Sequence, residues 1–104
     1  MRVLAGIYKS KKIETINNAD TRPMMSKVRE AIFNSIQFMV EDKDVLDLYS
    51  GSGSLGIEAL SRGANYVTFV ELSKECILIL KKNVENMSST VSYTHLTLPT
   101  TGSV

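Results

Sequence analysis

A chain of 104 residues, 43% hydrophobic and 22% charged, has the composition of one small globular domain. No window approaches the roughly eighteen continuous apolar residues of a membrane-spanning helix, and the single cysteine, Cys76, excludes an internal disulfide and a cysteine-based metal cluster. Net charge is +1, but residues 1–30 hold seven Lys or Arg against three Asp or Glu, and residues 31–90 hold five against eight. A basic N-terminal arm on a mildly acidic body suits a phosphate-backbone partner, although a solvated hairpin would carry the same lysines.

In chain order, Arg2 to Tyr8 and Lys11 to Ile16 carry the apolar residues of short strands around Lys9-Ser10, which predicts a β-hairpin. Lys9, Lys11 and Lys12 follow the apolar run, the reverse of a signal peptide. Residues 17–23 are polar and end in Pro23, a loop signature. Ser26 is placed to cap the next helix, whose packed face is expected to comprise Val28, Ala31, Ile32, Ser35, Ile36 and Met39. Residues 41–44 form a charged link.

Val45 to Tyr49 then reads as a parallel strand covered on both faces, interrupted only by Asp47. Gly51-x-Gly53-x-x-Gly56 follows and opens a helix containing Leu55, Ala59 and Leu60, with Gly63 as its stop. The glycine spacing alone fits a dinucleotide site, in which backbone N–H groups meet a pyrophosphate at a helix N-terminus. Asp47 argues against that ligand, because its carboxylate would face phosphate charge. S-adenosylmethionine has no phosphate and carries an α-ammonium and a sulfonium, which a carboxylate attracts. The next apolar strand, Tyr66 to Val70, ends at Glu71, where a carboxylate can accept hydrogen bonds from both hydroxyls of a ribose.

Ser73 is a natural N-cap, with Glu75 in the first turn of a helix whose buried stripe is Cys76, Ile77, Leu80, Val84 and Met87. Cys76 is read as a buried, inert thiol. The order of elements is hairpin, helix, then β-α-β-α, the beginning of a doubly wound α/β sheet. From Ser88 to Val104 there is no Asp, Glu, Lys or Arg, and nine of the seventeen residues are Ser or Thr. Val91 to Thr100 back-translate to GTCTCTTATACACATCTGACGCTGCCGACG, which resembles a transposase library adapter used in DNA sequencing. The tail is therefore read as non-native, with the junction near Ser89 to Val91, and His95 receives no functional weight.

Residues 1–9, Thr21-Arg22-Pro23, Val28-Arg29-Glu30-Ala31-Ile32-Phe33-Asn34, Val45 to Gly53 and Gly56 to Ala64 together resemble the RsmD-type 16S rRNA guanine-N2 methyltransferases. The resemblance extends to about Met87. It implies a truncated Rossmann-like class I S-adenosylmethionine-dependent methyltransferase fold preceded by a β-hairpin and helix. On this division, residues 1–40 form the RNA and cofactor entrance, 41–88 the first half of the methyltransferase domain and 89–104 the non-native tail. It also implies transfer of the sulfonium methyl group to the N2 amine of a guanine in 16S rRNA or a small-subunit assembly intermediate, by a cytoplasmic monomer.

Under that resemblance Asp47, Gly51, Ser52 and Gly53 serve the amino-acid end of S-adenosylmethionine, Glu71 its ribose, and Leu72 the adenine. Arg22 would pair with the cofactor carboxylate or with an RNA phosphate. Arg2, Lys9, Lys11 and Lys12 would contact RNA backbone. The family's Asn/Asp-Pro-Pro-Tyr segment has no counterpart among these residues, whose only prolines are Pro23 and Pro99, so no catalytic residue is assigned. With only two sheet strands expected, the polypeptide should fold poorly and be inactive alone. Three other readings remain open: a dinucleotide-binding oxidoreductase fragment, a methyltransferase of another nucleic-acid base, and a non-enzymatic RNA-binding module.

Overall fold

The computed structural model describes residues 1–15, 26–48, 50–87 and 93–97. Its elements are α1 (Ser26–Val40), β1 (Asp44–Leu48), α2 (Ser54–Ser61), β2 (Tyr66–Val70), α3 (Lys74–Glu85) and β3 (Tyr93–Thr97). The strands form one parallel sheet in the order β1-β2-β3, with a register irregularity between Thr68 and Val70 on the β3 side. Each parallel step needs a crossover, which α2 and α3 provide.

The register places Asp47 opposite Phe69. Alternation turns Val67 and Phe69 inward, where they join Ile57, Leu60, Leu80 and Val84 in the core. The glycine stop of α2 holds as expected. Gly63 adopts φ +109°, and N–H groups of Gly63 and Ala64 donate to Leu60 and Ala59 carbonyls, closing the last turn. Ser73 caps α3, its side chain accepting from the Cys76 N–H at 3.3 Å.

Five expectations need correction. The N-terminal pairing is real but shorter than predicted: Arg2 and Lys12 form an isolated antiparallel bridge, flanked by Val3 N–H to Lys11 O and Ile13 N–H to Met1 O. Leu4 to Ser10 instead make a broad bend, because Leu4, Ala5, Ile7 and Tyr8 give their N–H groups to α2 residues and not to a second strand. At that bend Gly6 takes φ +91°, and a Cβ there would lie 1.8 Å from the Ser61 carbonyl oxygen. Only glycine fits so close an approach.

The packed face of α1 is rotated from the predicted one. Arg29, Phe33 and Val40 are buried, whereas Val28, Ile32 and Met39 are exposed. Arg29 moves inward because it meets the carboxylate of Glu58 on α2, and Phe33 because the Arg62 guanidinium lies 5.4 Å above its ring. β1 is not covered on both faces: Leu46 and Leu48 are 59% and 58% exposed, since β1 is the edge of the described sheet. Cys76 is only half-buried. Finally, the sheet has three strands where two were expected. Tyr93–Thr97, inside the adapter-like stretch, pairs with the free edge of β2; a run rich in Thr and Tyr has the β-propensity for that position.

Candidate functional site

The C-terminal ends of β1 and β2 and the turn into α2 bring the predicted residues together. Gly51 and Gly53 have φ of +59° and +86°, so the turn uses the left-handed region twice within three residues. The glycines differ in their surroundings. A Cβ on Gly51 would meet nothing within 4 Å, which leaves open space above the turn. A Cβ on Gly53 would lie 2.3 Å from Leu80 Cδ1, and one on Gly56 would lie 2.3 Å from Phe69 Cε1 and 3.0 Å from Asp47 Oδ2. Gly51 thus faces open space, while Gly53 and Gly56 let the turn and α2 pack on the core.

Asp47 is 8% exposed and accepts a hydrogen bond from the Gly56 N–H at 3.0 Å. Its carboxyl is pushed up to about 6, first by burial and also by the nearby Glu71 charge, while the Gly56 bond opposes the rise. Asp47 also lines an apolar groove between α1, β1 and α2, with Ile32, Ile36, Leu46 and Leu55. A cationic group arriving beside Asp47 would oppose that rise and favour the ionised carboxylate.

Glu71, 7% exposed, holds the other side of the turn. One oxygen accepts from the Gly51 N–H at 2.8 Å, and the other from the Leu72 and Ser73 N–H groups at 2.9 Å each. Three of a carboxylate's four or so acceptor positions are therefore occupied, and the open one is on the oxygen facing Gly51. Leu72, next along the chain, is exposed at the end of β2. Ser52 offers its carbonyl to the side chain of Asn83 on α3.

The sequence model of the family described as conserved hypothetical protein 95 matches residues 1–100. The chain belongs to this family, the RsmD family. Among its relatives, the ribosomal RNA small subunit methyltransferase D of Haemophilus influenzae is 40% identical over 87 residues, covering 84% of this chain and 45% of that protein. The Escherichia coli protein of the same name is 33% identical over 89 residues, covering 86% and 45%. An Escherichia coli methyltransferase structure superposes with a TM-score of 0.78 at 28% identity, over 94% of this chain and 52% of that one. A Thermus thermophilus structure gives 0.80 at 27% identity, over 96% and 56%. The chain thus has the α/β fold of methyltransferases and spans about half the length of the curated relatives it matches.

Within this RsmD-family chain, Asp47, Gly51, Ser52, Gly53, Glu71 and Leu72 lie on β1, on the turn that follows it and just beyond the end of β2. Arg22, with Thr21 and Pro23, lies outside the described residues. Arg2, Lys9, Lys11 and Lys12 are exposed on the N-terminal arm, where Arg2 also donates to the Ser10 carbonyl at 2.8 Å. Arg29, counted in the basic excess of that region, is buried and contributes nothing to a basic surface.

Sequence reasoning missed three supporting groups. Ser50 Oγ donates to the Asp47 carbonyl at 2.7 Å and accepts the Val70 N–H at 3.2 Å, joining the two strand ends. Glu58 accepts from Leu4 and Ala5 N–H groups and from Arg62 Nε, beside Arg29 Nε at 3.8 Å. Burial pulls the Arg29 guanidinium below its ordinary value, and Glu58 opposes that effect. Asn83 is the third. A polar residue on the apolar stripe of α3, next to Val84, was the available signal.

Proposed function

We propose that this chain is the cofactor-binding part of an S-adenosylmethionine-dependent methyltransferase acting on the N2 amine of a guanine in 16S rRNA. The observation that carries the reading is the buried Asp47 carboxylate at the glycine turn. A pyrophosphate there would be repelled, whereas an α-ammonium is attracted. The names of the small-subunit rRNA methyltransferase relatives support the substrate class.

Three observations support the cofactor: a Cβ on Gly51 would meet no atom within 4 Å, the Glu71 carboxylate accepts the Gly51 N–H, and the Asp47 carboxylate accepts the Gly56 N–H at the start of α2. Asp47, Gly51, Ser52 and Gly53 would hold the amino-acid end, Glu71 the ribose, and the exposed face of Leu72 the adenine. When bound, S-adenosylmethionine supplies the activated methyl carbon, and the protein's task is to orient the acceptor amine against it. Arg2, Lys9, Lys11 and Lys12 would contact RNA phosphates, and Arg22 an RNA phosphate or the cofactor carboxylate. The proposed division is an entrance region at 1–40, the first half of the methyltransferase domain at 41–88 and a non-native tail at 89–104, in a cytoplasmic monomer. A genomic read through the locus with the same codons in place would remove the tail from this division.

The deciding experiment is calorimetric titration of the full-length protein that carries residues 1–87. S-adenosylhomocysteine should bind and NAD should not. Binding of NAD with indifference to S-adenosylhomocysteine would establish the dinucleotide alternative. An Asp47→Ala protein with undiminished RNA-dependent function would point to a non-enzymatic RNA module.

A further inference from the structure

Five side chains among the described residues tie the N-terminal arm to the rest of the fold. Glu58 accepts from Leu4 and Ala5, Ser61 Oγ accepts from Tyr8 at 2.9 Å, Arg29 donates to the Arg2 carbonyl at 2.6 Å, Lys82 pairs with the Glu14 carboxylate at 3.0 Å, and Asn83 binds the Glu14 backbone. Of these, only Asn83 also bonds the glycine turn. Its Oδ1 accepts the Glu14 N–H at 2.8 Å, and its Nδ2 donates to the Glu14 carbonyl and to the Ser52 carbonyl, each at 2.8 Å. One fully buried amide therefore joins the end of the basic arm to the middle of the glycine turn.

Packing alone does not explain this residue. Its neighbours on the buried stripe are Leu80 and Val84, and an apolar side chain at 83 would leave three backbone groups without their partner. The amide accepts one bond and donates two at once, whereas an ionised carboxylate has no donor and a hydroxyl has only one. The Ser52 carbonyl belongs to the turn that carries Gly51, so a single side chain links that turn to the Glu14 backbone.

We propose that Asn83 is a positioning residue that couples the N-terminal arm to the cofactor turn, so that filling the turn stiffens the arm for RNA. This rests on the cofactor reading given above. Hydrogen exchange of the full-length protein, with and without S-adenosylhomocysteine, tests it. In the wild type the ligand should slow exchange at the Val3, Ile13 and Glu14 amides by about tenfold, within the usual span of coupling between sites. In Asn83→Ala the ligand should still bind, but the Val3 and Ile13 amides should no longer respond. Glu14→Pro removes the arm-side donor while leaving the Ser52 bond, and should give the same loss at Val3 and Ile13 if the alanine variant does not fold.

Ligand binding to the wild type without slowing in the arm would overturn the proposal. So would a ligand response at Val3 and Ile13 that survives Asn83→Ala or Glu14→Pro. Failure of the wild type to bind S-adenosylhomocysteine at all would instead defeat the cofactor reading, and the coupling with it.

Discussion

The backbone N–H of Gly51 donates to the carboxylate of Glu71 at 2.8 Å, so the residue that ends β2 also fixes the first glycine of the turn after β1. The same carboxylate receives the N–H groups of Leu72 and Ser73. Glu71 is thus both a ligand candidate and the clasp that shapes the site. Glu71→Gln keeps one acceptor oxygen and surrenders the charge on these bonds. It should cost about 1–3 kcal/mol in urea unfolding and weaken S-adenosylhomocysteine binding in calorimetry. A variant that binds normally but unfolds earlier would confine Glu71 to the clasp.

Asp47 gives a pH dependence of definite sign. Its folded value, about 6, lies above its ordinary 3.8, so its contribution to stability is full below about pH 4 and is lost as pH rises through 6. Asp47→Asn should therefore stabilise the ligand-free protein near pH 7 by up to about 3 kcal/mol. Affinity for S-adenosylhomocysteine should rise in the wild type between pH 5 and 7 as the carboxylate ionises. The asparagine variant should bind weakly with a flat profile over that range.

The two outer glycines separate packing from ligand access. Gly56→Ala drives a methyl group against Phe69 and Asp47, and should destabilise the fold by about 1–3 kcal/mol. Gly51→Ala meets no atom and should lose only the roughly 1 kcal/mol of a left-handed alanine, yet impair ligand binding. Denaturant midpoints and titrations on both variants check the contrast.

Glu58 lies between two buried arginines, 2.9 Å from Arg62 Nε and 3.8 Å from Arg29 Nε. Glu58→Ala leaves both guanidinium groups without their counter-charge and two arm N–H groups without their acceptor. A loss of about 3–5 kcal/mol is expected in equilibrium unfolding. Glu58→Gln should recover part of it through the N–H bonds.

On the arm, Lys9→Ala, Lys11→Ala and Lys12→Ala should each weaken RNA binding without changing sequence preference. Removing one lysine–phosphate pairing should reduce the slope of log affinity against log salt by about 0.7–0.9. An unchanged slope would remove that lysine from the RNA surface.

The elements that depend on local pattern were legible in the sequence: the turn from its glycines, α3 from Ser73 and its stripe, and the β2 end from Glu71. Those that depend on a distant partner were not. Nothing near Arg29 announces that it turns inward, because its partner Glu58 is 29 positions away. The arm reads as a hairpin from its alternation, yet α2 captures most of the N–H groups that a second strand would need. Asp47 and Glu71 were legible as a pair of carboxylates, but the backbone groups that already hold them were hidden, since backbone partners carry no residue letter.

The glycine pressed against the end of α2 leaves an opportunity for spectroscopy. Ile7 beside it gives its N–H to the Ser61 carbonyl at 2.9 Å, yet its side chain is 77% exposed. A cysteine-linked spin label or fluorophore at position 7 would therefore report whether RNA approaches the neighbouring lysines while leaving that backbone bond in place.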